Sequence, residues 1–255
     1  MTILHALILG IIEGITEFLP ISSTAHLILA GQLLHLPDTE VLKTFDIVIQ
    51  SGAILAVLVL YGKRLLVSKD VLLKTLVAFI PTGVIGLLFH KVIKNLLFEN
   101  TYLMLMAILV GGIVLILVEL FHKEERATVQ ELEAITYTQA VILGFVQAIA
   151  IIPGVSRSGA TIVGGLLMKI RRAVIVEFTF LLAIPTMLAA TGYDLLKSAS
   201  AFSSADFVNL GVGFVVSFIV ALLAIKWLLG YVKKRSFVGF GIYRIALVAM
   251  FIGFF

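Results

Sequence analysis

The sequence predicts an all-α, polytopic membrane helix bundle, and three observations carry that prediction. Hydrophobic residues make up 61% of the 255 residues and charged residues 13%, with a mean hydropathy of +1.16. Soluble domains have about 45–50% apolar and about 25% charged residues. The apolar residues are gathered into segments of helical length, and the two halves of the chain repeat one pattern. A single integral membrane domain, 1–255, suits this length, because each span takes about 20 residues.

Ten apolar segments follow one another along the chain, and two of them are too short to span a bilayer. Their predicted bounds are 2–19, 22–36, 45–62, 71–90, 101–121, 136–152, 158–169, 173–195, 206–229 and 237–255. The two short segments follow breaks that contain Pro20 and Pro153, and they have re-entrant length. Non-helical backbone at membrane depth must be satisfied by protein or by a water-filled cavity. The breaks therefore predict two re-entrant helical hairpins around an internal cavity.

The two halves carry matching residues at a nearly constant offset. Gly10–Glu13 (GIIE) matches Gly144–Gln147 (GFVQ) at an offset of 134. Each hairpin is followed by three long segments, and an odd number of spans places the second half upside down. The pattern predicts an inverted-topology repeat, approximately 1–121 and 136–255, with a site near the midplane. Chance similarity among apolar segments is the alternative, and the matched polar residues argue against it.

Lysine and arginine divide unequally between the two sides that this topology defines. Twelve lie on one side: Lys63, Arg64, Lys69, Lys74, Lys123, Arg126, Lys169, Arg171, Arg172, Lys233, Lys234 and Arg235. Four lie on the other: Lys43, Lys91, Lys94 and Lys197. Because basic residues favour cytoplasmic loops, both termini are predicted outside, with the first hairpin entering from outside. The first segment is expected to be retained rather than cleaved as a signal peptide, since no basic region precedes it.

Two glutamates interrupt the first apolar segment. Glu13 and Glu17 are four residues apart, so on a helix their Cβ atoms lie about 5–6 Å from each other on one face. Like charges repel at that spacing, and each is costly in a membrane. A divalent cation, an arginine or a shared proton must therefore offset them. Solvation in the headgroup layer is the alternative, and the apolar neighbours argue against it.

Hydroxyl residues and a histidine follow the first break. Ser22, Ser23 and Thr24 precede His26. Ser22 or Ser23 could serve only as a cap for the next helix. With carboxylates one turn upstream, however, a hydroxyl near a histidine has the parts of an activated nucleophile.

The second break carries an arginine among hydroxyl residues. Arg157 is flanked by Ser156 and Ser158, and Thr161 follows one turn later. A guanidinium at a helix N-terminus suits a phosphate group. An arginine inside the bilayer is a functional candidate by default. A structural salt bridge to Glu13 or Glu17 is the alternative, and it does not exclude catalysis.

Several site classes are excluded by the sequence. The chain has no cysteine, and therefore no disulfide or thiolate site. It has no Walker loop and no zinc-ligand spacing. The net charge is +4, and no basic tract suggests nucleic acid.

The two motifs resemble those of bacterial undecaprenyl-pyrophosphate phosphatases, also called bacitracin-resistance proteins. Residues 13–26 (EGITEFLPISSTAH) resemble the glutamate-rich motif of that family, and residues 153–161 (PGVSRSGAT) resemble its second motif, PGxSRSxxT. The resemblance covers essentially the whole chain. Ala25 departs from the pattern, because many members have glycine there.

The resemblance implies hydrolysis of undecaprenyl pyrophosphate to the carrier lipid undecaprenyl phosphate, which serves peptidoglycan synthesis, and with it bacitracin resistance. It also implies a divalent cation, Mg²⁺ or Ca²⁺, which we expect at Glu13 and Glu17. The expected location is the bacterial inner membrane, with the active site open to the periplasmic side. The expected partners are the isoprenoid pyrophosphate substrate and membrane lipids, not nucleic acid, and homodimer formation is left open.

This hypothesis assigns roles to both motifs. The expected catalytic residues are Glu13, Glu17, Ser23, His26 and Arg157. The expected substrate-binding residues are Ser22, Thr24, Gly154, Ser156, Ser158 and Thr161. Ser23 is the favoured nucleophile, with His26 or Glu17 taking its proton, and direct attack by His26 stays open. A lipid flippase or anion transporter with the same cavity is the competing hypothesis, but a carrier has no need of a nucleophile.

Overall fold

The described part of the chain is helical and contains ten α-helices, together with short 3₁₀ turns. The computed structural model describes residues 1–37, 39–92, 100–198 and 206–254. The helices are α1 (Ile3–Thr16), α2 (Ser23–Leu33), α3 (Glu40–Val67), α4 (Lys69–Val92), α5 (Thr101–Phe121), α6 (Tyr137–Ala148), α7 (Arg157–Leu167), α8 (Arg172–Ser198), α9 (Asp206–Val232) and α10 (Val238–Phe254). The predicted all-α membrane helix bundle is confirmed. Of the residues in the charge count, Lys94 and the side chains of Lys91 and Lys197 lie outside the described residues.

Five of these helices, α3, α4, α5, α8 and α9, are long and apolar enough to cross a membrane. The sixth predicted span, α10, is a shorter apolar helix of 17 residues. The predicted segment 45–62 was too short, because α3 begins at Glu40 and ends at Val67. Its start is fixed by Thr39, whose side chain accepts a hydrogen bond from the N–H of Leu42 at 3.2 Å. A search for apolar segments does not detect a first turn that contains polar residues, so the predicted segment began too late.

Each half begins with two short helices joined by a sharp break. The second helix of each pair, α2 and α7, has 11 residues. The residue before each of them has a left-handed backbone, with φ of 72° at Ser22 and 76° at Ser156. Positive φ is uncommon outside glycine and often marks a functional turn. The two breaks thus share one backbone geometry at an offset of 134 residues.

Packing between the halves is reciprocal. Helix α1 packs against α9, and α6 packs against α4. Gly10 and Gly144 lie at these two contacts, where an added Cβ would be 2.8 Å from the Gly213 carbonyl oxygen and 2.1 Å from the Ala78 carbonyl oxygen, respectively. Small residues allow such close approach between membrane helices. The repeat boundaries stay a prediction, and this exchange of helices supports them.

An aromatic core lies beside the first break. Phe18, which follows Glu17, is fully buried and packs edge-to-face on Phe180 of α8 with ring centroids 5.5 Å apart. Tyr61 of α3 contacts the same ring at 5.9 Å. Edge-to-face packing of this kind stabilises a defined ring geometry. The carboxylate of Glu17 therefore extends from a rigid part of the core.

Candidate active site

The breaks of the two hairpins meet in the interior of the bundle. Ser158 donates a hydrogen bond from its hydroxyl to the backbone carbonyl of Leu19 at 2.8 Å. Arg157 forms an ion pair with Glu17 across the same contact, with Nη2 and Oε1 3.2 Å apart. The two motifs are therefore joined directly, although about 140 residues separate them.

Ser23, Glu17 and Arg157 form a continuous chain of polar contacts. The Ser23 hydroxyl donates a hydrogen bond to Oε2 of Glu17, while Arg157 donates to Oε1. Arg157 is held in turn by a hydrogen bond from Nη1 to the Thr179 carbonyl at 3.1 Å, and it lies 5.9 Å from the centre of the Phe18 ring. A nucleophile bonded to a base that a third group orients is the general arrangement of an activated hydroxyl.

The carboxylate of Glu13 is not part of the contact chain formed by Ser23, Glu17 and Arg157. It is fully buried, and within the described residues no N–H or O–H group donates to either of its carboxylate oxygens. Glu17 and Asp46 repel its charge and Arg157 attracts it, and Glu17 is also close enough to share a proton with it. A buried carboxylate needs a proton or a cation.

A divalent cation fits this donor set. Mg²⁺ is commonly bound by one or two carboxylates, with water and substrate phosphates completing its coordination. The described residues contain no group of three or more acidic or histidine side chains arranged for a metal, so the protein alone would supply few ligands. Glu17 already has both oxygens engaged by Ser23 and Arg157. Of the two predicted metal ligands, Glu13 is therefore the better suited.

His26 lies close to Ser23 in sequence, but its ring nitrogens are engaged elsewhere. Nδ1 is 2.8 Å from the Ser22 carbonyl, which can only accept, so Nδ1 carries the proton. Nε2 is 2.7 Å from the Tyr243 hydroxyl, and the two rings are stacked. In this arrangement the residue that accepts a hydrogen bond from Ser23 is Glu17, not His26.

The hydroxyls of the second motif organise the start of α7. Because the Ser158 proton goes to Leu19, the 3.1 Å contact between Ser156 and Ser158 has Ser156 as donor. The Ser156 oxygen also accepts from the Gly159 N–H and so caps the helix. Thr161 donates to the Arg157 carbonyl at 2.8 Å. These three hydroxyls therefore support the backbone around Arg157, and their contact with substrate stays a prediction.

Three further predicted binding residues have different environments. Ser22 is buried and precedes α2, but its side chain makes no capping hydrogen bond, so a capping role for Ser22 was wrong. Thr24 is half-buried in the first turn of α2. Gly154 has φ of 95°, and an added Cβ would lie 2.3 Å from the Met104 carbonyl oxygen. The glycine is thus required by the backbone, whatever it binds.

Arg244 was missed as a site residue, although it is buried where the two breaks meet. It donates to five backbone carbonyls, at 2.8–3.3 Å: those of Pro20, Ala107, Ile108, Gly154 and Val155. These carbonyls belong to both breaks and to α5. The guanidinium therefore fastens the two hairpins to each other and to α5. The available signal was an arginine inside an apolar segment, which marks a functional candidate.

Gly111→Ala is expected to destabilise the protein by disturbing Arg244. An added Cβ would lie 2.2 Å from Nη2 of Arg244, and the guanidinium cannot move away without losing carbonyl contacts. Overpacking of this kind costs about 1–3 kcal/mol. Thermal unfolding of the purified protein in detergent should show a lower Tm, together with lower activity.

Gly86→Ala in α4 is the matched control, because nothing lies within 4 Å of the position of its added Cβ. Alanine favours a helix by up to about 1 kcal/mol over glycine, so this variant should keep or raise the Tm. Equal Tm and equal activity of the two variants would show that the position of the Arg244 guanidinium constrains neither folding nor activity.

Comparison with known proteins gives matches over nearly the whole chain. Residues 6–250 match the family described as bacitracin resistance protein BacA. An undecaprenyl-diphosphatase of Sulfurihydrogenibium sp. (strain YO3AOP1) is 51% identical over 247 residues, which cover 97% of each chain. Those of Wolinella succinogenes and Aquifex aeolicus are 50% and 46% identical, over 99% and 100% of this chain and 98% and 99% of theirs.

Proposed function

Because the chain belongs to the bacitracin resistance protein BacA family, we propose that it is an undecaprenyl-diphosphatase. The reaction is hydrolysis of undecaprenyl diphosphate to undecaprenyl phosphate and inorganic phosphate, which recycles the carrier lipid for cell-wall synthesis. Relatives that carry this name are about half identical to it over nearly their full length. The single structural observation that supports the proposal is the contact chain from Ser23 through Glu17 to Arg157.

In the first step, the Ser23 oxygen attacks the terminal phosphorus and its proton passes to Glu17. The bond between that phosphorus and the bridging oxygen breaks, and the bridging oxygen leaves on undecaprenyl phosphate. Arg157 lies beside Glu17 and stabilises negative charge on the transferring group. Ser23 is the first residue of α2, so the attacked phosphate lies at a helix N-terminus, where backbone N–H groups favour an anion.

In the second step, water hydrolyses the phosphoserine. Glu17, which holds the Ser23 proton from the first step, returns that proton to the Ser23 oxygen as its bond to phosphorus breaks. Both protons of the water stay on the inorganic phosphate, so the starting state is restored. The second step needs no further residue, because the same carboxylate serves both half-reactions. Inorganic phosphate then leaves.

A divalent cation at Glu13 would neutralise charge on the diphosphate. Replacing Glu13 by glutamine keeps the size of the side chain but removes the charge that attracts a cation. We expect the Mg²⁺ or Ca²⁺ concentration for half-maximal activity to rise at least about tenfold, the order seen when a metal site loses a supporting group. The measurement is phosphate release from farnesyl diphosphate across a metal titration.

Glu125→Gln is the control for that titration, because Glu125 is an exposed acid in the short 3₁₀ helix after α5. It should leave the metal dependence unchanged. An unaltered metal requirement in Glu13→Gln would remove Glu13 as the cation ligand and would favour a shared proton with Glu17.

The protein is a multi-pass membrane protein, as five long apolar helices and the family indicate. The proposed orientation places both termini outside the inner membrane and opens the site to the periplasmic side. The unequal distribution of lysine and arginine supports that orientation. The test is labelling of Thr2→Cys and Lys234→Cys variants with an impermeant maleimide in whole cells. Label on Thr2→Cys alone is expected, and label on Lys234→Cys alone would reverse the orientation.

The competing carrier hypothesis makes a different prediction in one assay. Purified protein in detergent with Mg²⁺ should release inorganic phosphate from undecaprenyl diphosphate if it is a phosphatase. A flippase or anion carrier would bind the lipid and release none. Absence of phosphate release, with metal present and the protein folded, would overturn the proposed function.

A further inference from the structure

An apolar groove opens between α1, α9 and α10, and one expected catalytic residue, His26, is among the residues that line it. Its volume is about 450 Å³, and aliphatic and aromatic side chains form nearly all of its wall, including Ile15, Trp227 and Phe240. The polar groups at its end are His26 and Tyr243, which are hydrogen-bonded to each other. The groove thus joins an apolar surface of the bundle to the site.

The groove is open to the surface along its side. Ile15 is 42% exposed and Trp227 is 53% exposed, and both belong to apolar helices of a membrane protein. The surroundings of such a surface are lipid acyl chains. A long hydrocarbon chain can therefore enter sideways from the bilayer, without passing through water.

The polar end of the groove lies within one helical turn of Ser23. Ser23 and His26 are three residues apart on α2, which places their Cβ atoms about 5–6 Å from each other. On α1, the groove residue Thr16 precedes Glu17 directly. A phosphate at Ser23 is therefore next to the start of the groove.

The chemistry of the substrate requires an apolar path at this place. In a prenyl diphosphate, three atoms lie between the attacked phosphorus and the first carbon of the tail. They are the bridging oxygen, the inner phosphorus and the oxygen that joins the inner phosphorus to carbon. When the terminal phosphate is at Ser23, the tail must begin a few bonds away. The groove provides an apolar opening there.

We propose that this groove binds the first isoprene units of the substrate and places its inner phosphate beside His26 and Tyr243. The proposal rests on the proposed diphosphatase function and deepens it. A volume of about 450 Å³ holds only the first few units, so the rest of a long tail stays among lipid chains. Because the bilayer is as apolar as the groove, moving the tail from lipid into the groove gains little hydrophobic free energy. The groove instead contributes to catalysis by holding the diphosphate in position.

Ile15→Trp tests the groove by filling it. Its expected effect is a fall of about tenfold in kcat/KM for farnesyl diphosphate in lipid vesicles, since small misplacements of a substrate cost that much or more. The fall should come mainly from kcat, because lipid can replace the apolar contact but cannot place the diphosphate at Ser23. Isopentenyl diphosphate, which has a single isoprene unit, should lose less activity than farnesyl diphosphate, because fewer of its atoms lie in the groove.

Ile11→Trp is the matched control, because Ile11 lies one turn earlier on α1, is also 42% exposed, and is not among the groove residues. It should change neither substrate's kinetics. If Ile15→Trp lowered kcat/KM equally for both substrates, or for neither, the groove proposal would be wrong. The proposed diphosphatase function would be unaffected.

Photolabelling separates failure of the groove from failure of the function. A farnesyl diphosphate analogue with a diazirine near the end of its tail should label Trp227 or Phe240 in vesicles of phosphatidylcholine. Unlabelled farnesyl diphosphate should displace it. Labelling that is elsewhere, or that is not displaced, would mean that the groove holds ordinary acyl chains, and the proposal would fall. Displaceable labelling without any phosphate release would keep the groove and overturn the diphosphatase.

Discussion

Ser23→Ala is expected to lower kcat for phosphate release by at least about a thousandfold, the scale on which loss of a covalent nucleophile acts. The hydroxyl is buried and bonded to Glu17, so its removal deletes the attacking atom and leaves the carboxylate without its proton donor. KM should change little, since Arg157 remains to hold the diphosphate. Steady-state kinetics with farnesyl diphosphate, alongside thermal unfolding, provide the measurement.

Ser51→Ala controls for the loss of a serine hydroxyl elsewhere in the bundle. The Ser51 hydroxyl donates to the Ile47 carbonyl of its own helix at 3.0 Å, and its removal should leave activity near wild type. If Ser23→Ala kept activity within about tenfold of wild type, the serine mechanism would be wrong. His26 would then be the remaining nucleophile, although it must first lose its contact with Tyr243.

Arg157→Lys is expected to lower kcat about 100- to 1,000-fold, as loss of an oriented donor to a developing anion does. Lysine keeps the charge, but its ammonium group lacks the planar fork with which Arg157 contacts Glu17 and the Thr179 carbonyl together. Arg157→Ala should lose more activity, because the charge is lost as well. The measurement is kcat and KM for both variants, with Tm recorded for each.

Arg126→Lys is the control for that pair, because Arg126 is exposed in the loop after α5. It should behave as wild type. If Arg157→Lys lost activity only in proportion to a fall in Tm, Arg157 would act in folding, as the purely structural salt bridge supposes.

The residues that could be predicted from the sequence are those that membrane physics makes conspicuous. Glu13, Glu17 and Arg157 are charged groups in apolar surroundings, where each needs a reason. The prolines at 20 and 153 lie in the breaks, whereas Pro81 and Pro185 lie inside α4 and α8. Proline therefore indicates a break here only together with the polar residues that follow it. The sequence therefore indicated both hairpins and the acidic and basic sides of the site.

The remaining features depend on contacts between distant residues. His26 and Tyr243 are 217 positions apart, and no local pattern relates them. The five carbonyls bound by Arg244 are backbone groups, which carry no sequence signal. The hydroxyls of Ser156 and Thr161 resembled phosphate ligands by type, but hydrogen bonds within the start of α7 occupy them. Residue type alone does not reveal whether a hydroxyl bonds to nearby groups of its own helix or to a phosphate.

We expect Ser23, activated by Glu17 where the two hairpins meet, to receive the terminal phosphate. The most direct measurement is a rapid acid quench of the enzyme during turnover of a substrate labelled with ³²P in its terminal phosphate, followed by peptide mapping. Label is expected on Ser23, and none is expected in Ser23→Ala. Label on His26, or full turnover by an enzyme in which no residue is ever labelled, would contradict it.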